Sequence, residues 1–291
     1  MNGILNINKP EGRTSFSIVA MVKRLSGERR VGQGTRVVEF LVEASKVYRA
    51  QIELGVATDT YDASGKITQQ GDPSGISQGQ LESALGSFRG LIQQTPPMYS
   101  AVKYHGKRLY KLARAGIRVE RKSRPVKIHT LELLDWQPPV ATVEVVCGKG
   151  TYIRALAHDL GQALGCGANL KSLIRLRCGF FDIKDAISVS QLEDAFHHGY
   201  WQHLVYPIDT VLLHYSAIVV SDATGRTIRN GGHLVLNHGD SSYRTDFREQ
   251  HSLVSPYFKN RCRVYTGGGC FLGVLYFNPE TGQWQPEKIL L

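Results

Sequence analysis

The stretch Tyr48-Arg49-Ala50-Gln51-Ile52-Glu53-Leu54 alternates apolar and polar side chains along its whole length. A period of two is typical of a strand that buries one face and exposes the other to water. Soon afterwards Asp59, Asp62 and Gly65 interrupt the apolar pattern, and these residue types predict a turn. The chain therefore contains a half-buried strand, with its aromatic and aliphatic side chains on the core side, that ends in a polar turn.

Helices and further strands are predicted on both sides of this strand. Thr14 and Ser15 are good N-cap residues for a first helix, and the spacing of the following apolar residues supports each later element. The predicted elements are a short strand at 4–8, the helix after Thr14, a helix around Leu81–Phe88, a helix over Lys107–Arg114 that stops at Gly116, a strand over Thr142–Cys147, and a helix from Ile153 that closes at Gly165.

Strands and helices are mixed without regular alternation, which favours an α+β fold over a doubly wound sheet. From about Ile208 the chain changes to short β-like pieces separated by Gly, Asn and Asp. Closure into a small barrel would remove the exposed edges of such strands. We therefore predict one domain over residues 1–207 and a small β domain over residues 208–291.

Composition restricts the classes of partner. The net charge is +10 and 42% of the residues are hydrophobic, so the chain can bury a large core and favours a polyanionic partner. No apolar run is long enough to cross a bilayer, and no signal peptide is evident. Five cysteines without a Cys-x-x-Cys pair argue against a disulfide framework or zinc site and predict reduced thiols in the cytoplasm.

Several blocks resemble, in order, those of the TruB family, which makes pseudouridine in the T-loop of transfer RNA. These blocks are Gly3–Ser15, Lys46–Arg49, Leu54–Asp62, Thr95–Lys103 and Lys149–Arg154. The resemblance implies a pseudouridine synthase fold with a mixed, largely antiparallel sheet flanked by helices. It also implies isomerisation of uridine 55, a tRNA T-arm as partner, action as a monomer, and no metal or organic cofactor. More loosely, Ile228–Leu234 and Gly269–Val274 resemble a PUA-type RNA-binding domain, with 238–261 as a surface insertion.

Pseudouridine formation breaks the bond from uracil N1 to the ribose and rejoins the base through C5. A stacked base must first be flipped out. Tyr48 matches the family's base-stacking tyrosine, whose hydroxyl is thought to handle a proton at C5. Arg154 matches the arginine that pairs with the catalytic aspartate. From pattern alone, a core-facing sheet residue is the better interpretation of Tyr48, and the resemblance of the Lys46–Arg49 and Leu54–Asp62 blocks reverses that. For Arg154 the alternatives are an exposed helix residue or a partner of Asp159.

Three further residues match positions around the family's pocket. Tyr152 is expected to line the uracil pocket, and Leu173 matches an apolar pocket residue; simple packing would explain either one. Lys9, in the first block, is expected to support the site rather than to react.

A strongly basic segment follows the Thr95–Lys103 block. Glu120 is its single acid, and Tyr104 and Tyr110 are interleaved. We interpret it as a surface that follows RNA phosphates, with a merely solvated basic face as the alternative. Its cations are Lys103, Lys107, Arg108, Lys111, Arg114, Arg118, Arg121, Lys122 and Arg124.

The segment that carries the nucleophile in the family is missing. Members have Gly-His-x-Gly-Thr-Leu-Asp-Pro between the first helix and the Lys-x-Tyr block, followed by a core strand. Here only Gln33 and Gly34 separate Gly32 from Thr35, and no other acid is a convincing substitute. The chain is thus either a non-catalytic RNA-binding or RNA-folding relative, or a defective copy of an active enzyme. We favour the second, because the other site residues are all of the expected type.

Two other classes of function are set aside. Gly267-Gly268-Gly269 does not lead into a helix within a βαβ pattern, so a dinucleotide site is not supported. His197, His198 and His203 cluster without a carboxylate or cysteine at ligand spacing, so we predict no metal site.

Overall fold

A computed structural model describes residues 3–32, 35–235, 243–246 and 260–290. The chain divides into two compact units. The central unit is Val42–Asp185, and the terminal unit combines Met1–Leu41 with Ala186–Leu291. The domain boundary that the sequence places at residue 207 stays a prediction.

Seven helices and seventeen strands are found in the described residues. In chain order they are β1 (Ile7–Asn8), α1 (Ser15–Ser26), α2 (Thr35–Glu43), β2 (Lys46–Leu54), β3 (Val56–Thr58), β4 (Ile67–Gln70), α3 (Gln78–Ser87), β5 (Gly90–Gln94), β6 (Lys103–Tyr104), β7 (Lys107–Arg108), α4 (Leu109–Arg114), β8 (Arg124–Gln137), β9 (Val140–Cys147), α5 (Ile153–Ala163), β10 (Ala168–Cys178), β11 (Phe181–Asp182), β12 (Ile187–Ser188), α6 (Val189–His197), β13 (Ser216–Val220), α7 (Asp222–Arg229), β14 (Tyr243–Asp246), β15 (Arg261–Thr266), β16 (Phe271–Asn278) and β17 (Gln283–Ile289).

The central unit is built on a six-stranded antiparallel sheet in the order β11-β10-β2-β9-β8-β5. The alternation predicted for β2 is confirmed, since Ala50, Ile52 and Leu54 are buried and Tyr48 packs partly against the same core. Residues from α3 and α5 complete this core. The prediction of an α+β fold around a largely antiparallel sheet is confirmed.

Helix boundaries follow local signals, with one correction. The Thr14 hydroxyl accepts a hydrogen bond from Ser17 N at 3.0 Å and caps α1 as predicted. The helix predicted from Lys107 begins instead at Leu109, because Lys107 and Arg108 form β7 and pair with β6 in a short hairpin. Gly116 follows the end of α4 with φ of 73°, a left-handed conformation that glycine adopts without strain.

The terminal unit has a helical part and a sheet. β1 pairs in parallel with β12, and α1 packs on α6 through Ile18, Val22 and Leu192. The sheet runs β14-β13-β15-β16-β17 and confirms the short strands predicted beyond residue 208. Closure into a PUA-like barrel stays a prediction, and most of the predicted insertion at 238–261 lies outside the described residues.

The place expected for the nucleophilic aspartate lies between α1 and α2. Gln33 and Gly34 are outside the described residues, and α2 begins directly after them. This helix follows the gap and was not predicted. In the described part of the chain, no helix is both long and apolar enough to cross a bilayer.

Candidate active site

Arg154 lies in the first turn of α5 and has an acidic partner. Its Nη1 is 3.2 Å from Oδ2 of Asp62, and its Nη2 donates to the backbone carbonyl of Tyr99 at 2.5 Å. The two side chains are 25% and 26% exposed. Neither predicted alternative is found, because Arg154 is not an exposed helix residue and its partner is not Asp159. The polar turn after β2 thus supplies the acid for Arg154.

Hydrogen bonds fix the Asp62 carboxylate from its other side. Its Oδ1 accepts from the Thr60 hydroxyl at 2.7 Å, from the Ser64 hydroxyl at 2.6 Å and from Ser64 N at 3.2 Å. Burial by itself would raise the pKa of Asp62, but the bonds from Ser64 and Thr60, together with the Arg154 guanidinium, outweigh it and lower the pKa. Asp62 is therefore an ionised anchor, with both oxygens occupied, rather than a free nucleophile.

Tyr48 faces the side of the sheet on which α5 packs. Its ring packs partly against the core cluster that includes Ile153 and Leu156 of α5. Burial raises the pKa of the Tyr48 hydroxyl, and the positive charge of Arg175 opposes that rise. Tyr48 and Arg154 therefore belong to the central unit, and α5, which carries Arg154, packs on the sheet face that carries Tyr48. The catalytic role of Tyr48 stays a prediction.

Tyr152 is held by its backbone rather than by its hydroxyl. The buried side chain of Gln94, at the end of β5, accepts from Tyr152 N at 2.8 Å and donates to Tyr152 O at 3.1 Å. The Arg124 guanidinium lies over the Tyr152 ring, 5.3 Å from its centre, at the range of a cation–π contact. These contacts set the direction of the ring at the start of α5.

Leu173 is 43% exposed. It lies opposite Ala50 in the pairing of β10 with β2, and directly opposed residues share a sheet face. The alternative that Leu173 is a core residue is therefore wrong. Leu173 thus exposes an apolar side chain on the same sheet face as Ala50, which suits the wall of a pocket. Its role as a pocket residue stays a prediction.

Lys9 belongs to the terminal unit. Its ammonium donates to the carbonyl of the neighbouring Pro10 at 3.0 Å, and the residue is exposed. Its supporting role in the site stays a prediction.

The basic segment spans β6, β7, α4 and the loop up to β8. Most of its cations are exposed, including Lys103, Lys107 and Arg108. Arg121 and Arg124 are half-buried and donate to the carbonyls of Pro96 and Gly150, each at 3.0 Å. The segment thus presents a cluster of positive charge, with two arginines holding it to the central unit.

A cavity of about 480 Å³ is lined by sequence neighbours of Asp62 and by Tyr99, while Asp62 and Arg154 themselves do not line it. The polar turn forms one wall through Asp59 and Tyr61, and the basic segment forms another through Arg118 and Arg121. Tyr99, whose carbonyl binds Arg154, also lines it. The site therefore combines a recess, a fixed guanidinium–carboxylate pair and several cations. These are features that suit an anionic ligand with a planar group.

Sequence reasoning missed several residues that build this site. Asp62 was interpreted only as a turn residue, Arg124 only as a surface cation, and Gln94, Tyr99 and Arg175 received no role. The Gln94 side chain binds the backbone of Tyr152, and the Tyr99 carbonyl accepts from the Arg154 side chain. Residue types do not reveal such contacts between residues far apart in the chain. Arg175 lies within the stretch that includes Leu173, so strand alternation would have placed both on one face.

No cluster suited to a metal ion occurs in the part of the chain that the structure describes. His198 lies 3.1 Å from the Asp194 carboxylate one helical turn away, which is an ordinary surface pair. None of the five cysteines, all of which lie within the described residues, forms a disulfide.

Two family models match the chain. Residues 30–153 match the family model of the TruB pseudouridylate synthase N-terminal domain, and residues 154–213 match that of the tRNA pseudouridylate synthase B C-terminal domain. The tRNA pseudouridine synthase B of Dehalococcoides mccartyi is 38% identical over 310 residues, covering 100% of this chain and 97% of the relative. That of Symbiobacterium thermophilum is 45% identical over 213 residues, covering 66% and 71%.

Among solved structures, the crystal structure of a Cbf5-Nop10-Gar1 complex matches the fold with a TM-score of 0.71 at 21% identity. The match covers 99% of this chain and 85% of the other.

Proposed function

The chain belongs to the TruB family of pseudouridylate synthases, and from this premise we propose that it binds the T-arm of tRNA and receives the flipped-out uridine 55 beside Tyr48 and Arg154. The relatives above are named as tRNA pseudouridine synthases, which supports tRNA as the RNA. The exposed cations of the basic segment supply phosphate contacts for it. We also propose that the protein acts as a monomer in the cytoplasm.

The observation that carries the proposal is the anchored Arg154. One end of its guanidinium binds Asp62 and the other binds the Tyr99 carbonyl, and both protein side chains are about three-quarters buried. A planar cation held at both ends is pre-organised to direct a carboxylate at a sugar or base. Tyr99, whose carbonyl binds Arg154, also lines the cavity, and this contact supports a place for the nucleotide nearby.

The reaction requires an acid that this chain lacks. Uridine must lose its N1–C1′ bond, turn, and form a C5–C1′ bond, with one proton leaving C5 and one taken up at N1. A carboxylate acts as nucleophile or as charge stabiliser in that sequence. Asp62 does not replace it, because both of its oxygens are already bound. We therefore propose that isomerisation by this chain is impaired or lost, while T-arm binding is retained.

The alignment with the Dehalococcoides protein supports a missing segment. It runs over 310 residues and includes all of this chain, which has 291. The relative therefore holds residues that have no counterpart here. Since Tyr48, Tyr152, Arg154 and Leu173 are all of the expected type, we infer a defective copy of an active enzyme.

A non-catalytic RNA-binding or RNA-folding protein on the same scaffold is the second candidate, and the retained basic segment favours it. The two are separated by tritium release from C5-labelled uridine in a T-arm stem-loop. We expect little or no release from the chain as it stands, with salt-dependent binding of the stem-loop. Inserting Gly-His-x-Gly-Thr-Leu-Asp-Pro and the strand that follows it, between Gly32 and Gln33, should restore release.

The control is the same insertion with Asn in place of its Asp. Release from that control, or failure of the full insertion to restore release in a folded protein, would contradict the proposal of a defective synthase. Absence of stem-loop binding would contradict both candidates.

A further inference from the structure

Arg175 lies beside Tyr48 on the same face of the central sheet. The two are directly opposed in the antiparallel pairing of β10 with β2, and the next opposed pair is Leu173 with Ala50. Directly opposed side chains have Cβ atoms about 4.5–5.5 Å apart and point to the same side. The Arg175 guanidinium is close enough to the Tyr48 hydroxyl for its charge to oppose the rise in the pKa of Tyr48 that burial causes.

The charge of Arg175 is not used to neutralise an acid. None of the ion pairs found among the described residues includes it, and the residue is exposed. Arg49, on the neighbouring strand β2, pairs with the Glu144 carboxylate across the sheet at 3.8 Å. Arg175 instead lies directly opposite the phenol of Tyr48.

The neighbouring Arg177 shows that this contact is specific to one position. A bulge between Arg175 and Arg177 sets Arg177 opposite Val47, which does not share the sheet face of Tyr48. Val47 precedes Tyr48 in the strand, and successive side chains point to opposite faces. Two arginines on the same short stretch of β10 therefore face different sides of the sheet, and only the first is aligned with Tyr48.

We propose that Arg175 is a positioning residue for Tyr48, holding its hydroxyl oxygen so that the ring stays against the flipped base. The meaning of this inference rests on the proposed function, because the direction of the ring matters when a base stacks on it. In this proposal the guanidinium donates a hydrogen bond to the phenol oxygen, and the hydroxyl proton is left free to point elsewhere. If Tyr48 exchanges that proton with C5 of the uracil, the phenolate is stabilised by the guanidinium.

The pKa of Tyr48 gives a direct readout. Burial raises it and Arg175 lowers it, so removal of the Arg175 charge should raise it further. We would introduce 3,5-difluorotyrosine at position 48 of the full chain, because fluorination brings the titration down into the pH range where the protein stays folded. The single ¹⁹F signal then reports the titration of this one residue without RNA.

Three variants separate positioning from general charge. Arg175→Gln should move the midpoint of the titration to higher pH. Arg175→Lys should give a midpoint between that of the unsubstituted protein and that of Arg175→Gln, since a lysine point charge replaces only part of the guanidinium fork. Arg177→Gln removes the same charge from the other face and should leave the midpoint unchanged. An unchanged midpoint in Arg175→Gln, or an equal shift in Arg177→Gln, would overturn the proposal.

The proposed role of Arg175 and the tRNA proposal can be refuted separately. If the chain with the inserted segment shows no tritium release while the ¹⁹F midpoint still moves, the assignment of the reaction is wrong and the contact stands. If tritium is released but the midpoint is indifferent to Arg175, the tRNA proposal stands and the role of Arg175 is wrong.

Discussion

At the scale of single residues, Arg154 uses both ends of its guanidinium, and this decides which substitutions the site tolerates. The fork joins Asp62 to the Tyr99 carbonyl, which a lysine ammonium cannot reproduce as one point charge. Asp62 in turn is bound by Thr60 and Ser64. The pair is therefore part of a network, and removal of one charge affects every member.

Asp62→Asn should destabilise the protein near neutral pH. The substitution removes the carboxylate charge and leaves the Arg154 guanidinium partly buried without an anion. Allowing for the exposure of the pair, we expect the free energy of unfolding to fall by about 1–2 kcal/mol at pH 7. Because the pKa of Asp62 is lowered in the folded state, the wild-type advantage should be present above the ordinary pKa and be lost as the pH falls through the folded value.

Urea unfolding at pH 7 and at pH 3 checks this expectation. Asp72→Asn is the matched control, because Asp72 is exposed and has Ser74, rather than a cation, as its partner. Equal losses in the two variants at pH 7 would show that the ion pair does not stabilise the fold.

Asp159→Asn should have the opposite effect. Burial raises the pKa of Asp159 to about 6, so the folded protein binds this proton more tightly than the unfolded chain does. The wild-type protein is relatively stabilised below the unfolded pKa, and this contribution is lost as the pH rises through about 6. At pH 8 the neutral amide of Asp159→Asn should raise the free energy of unfolding by roughly 1 kcal/mol, a figure reduced to allow for solvent screening of the partly exposed side chain.

The measurement is urea unfolding of both proteins at pH 4 and pH 8. The gain should be present at pH 8 and nearly absent at pH 4, where the wild-type carboxyl is largely protonated in the folded state. A gain of the same size at both values would assign it to packing instead.

At the scale of elements, the beginning of α5 depends on the end of β5. Tyr152 precedes the helix and has no side-chain cap of its own, so its backbone N–H relies on Gln94, which also donates to its C=O. Gln94 is 1% exposed, and its amide therefore joins two elements inside the core. Arg154 lies one residue into that helix, so the same bonds set the place from which it reaches Asp62.

Gln94→Leu should loosen this junction. Leucine keeps the apolar bulk but leaves the N–H of Tyr152 unpaired, while the C=O keeps its bond from Leu156 N. We expect a loss of about 1–3 kcal/mol in the free energy of unfolding. Gln93→Leu, at the exposed neighbouring position, is the control. The check is urea unfolding followed by T-arm binding; equal stability of the two variants would contradict the role of Gln94.

At the scale of the whole molecule, the net charge of +10 is concentrated partly in the basic segment. A polyanion releases counterions when it binds such a surface, so its affinity falls as salt is added. Part of this charge lines the cavity through Arg118 and Arg121. Under the proposed function, general attraction for RNA and recognition of one nucleotide would therefore belong to the same unit.

A combined Lys107→Gln, Arg108→Gln and Lys111→Gln variant should weaken T-arm binding. If each cation contacts one phosphate, the slope of log affinity against log salt should fall by about three. A variant with Lys23, Lys127 and Lys184 changed to Gln loses the same charge at exposed positions elsewhere. Similar slopes for the two triple variants, measured by fluorescence anisotropy, would show that charge alone and not the basic segment determines binding.

The sequence by itself determined the local features of this protein. The period of two in β2, the Thr14 cap and the glycine after α4 each act within a few residues, and each is found as predicted. The order of the blocks identified the family, and the sequence has only Gln33 and Gly34 between Gly32 and Thr35. The resemblance to that family also chose Tyr48 and Arg154 as candidates.

Only the tertiary structure decided which of these residues meet. Arg154 pairs with Asp62 across 92 positions, and Gln94 holds Tyr152 across 58. Arg175 reaches Tyr48 because a bulge sets the register between two strands. Such contacts depend on strand register and on the packing of α5, which are collective results of burying one shared core. Residue type and spacing describe each partner separately, and so they do not say which partners the buried core brings together.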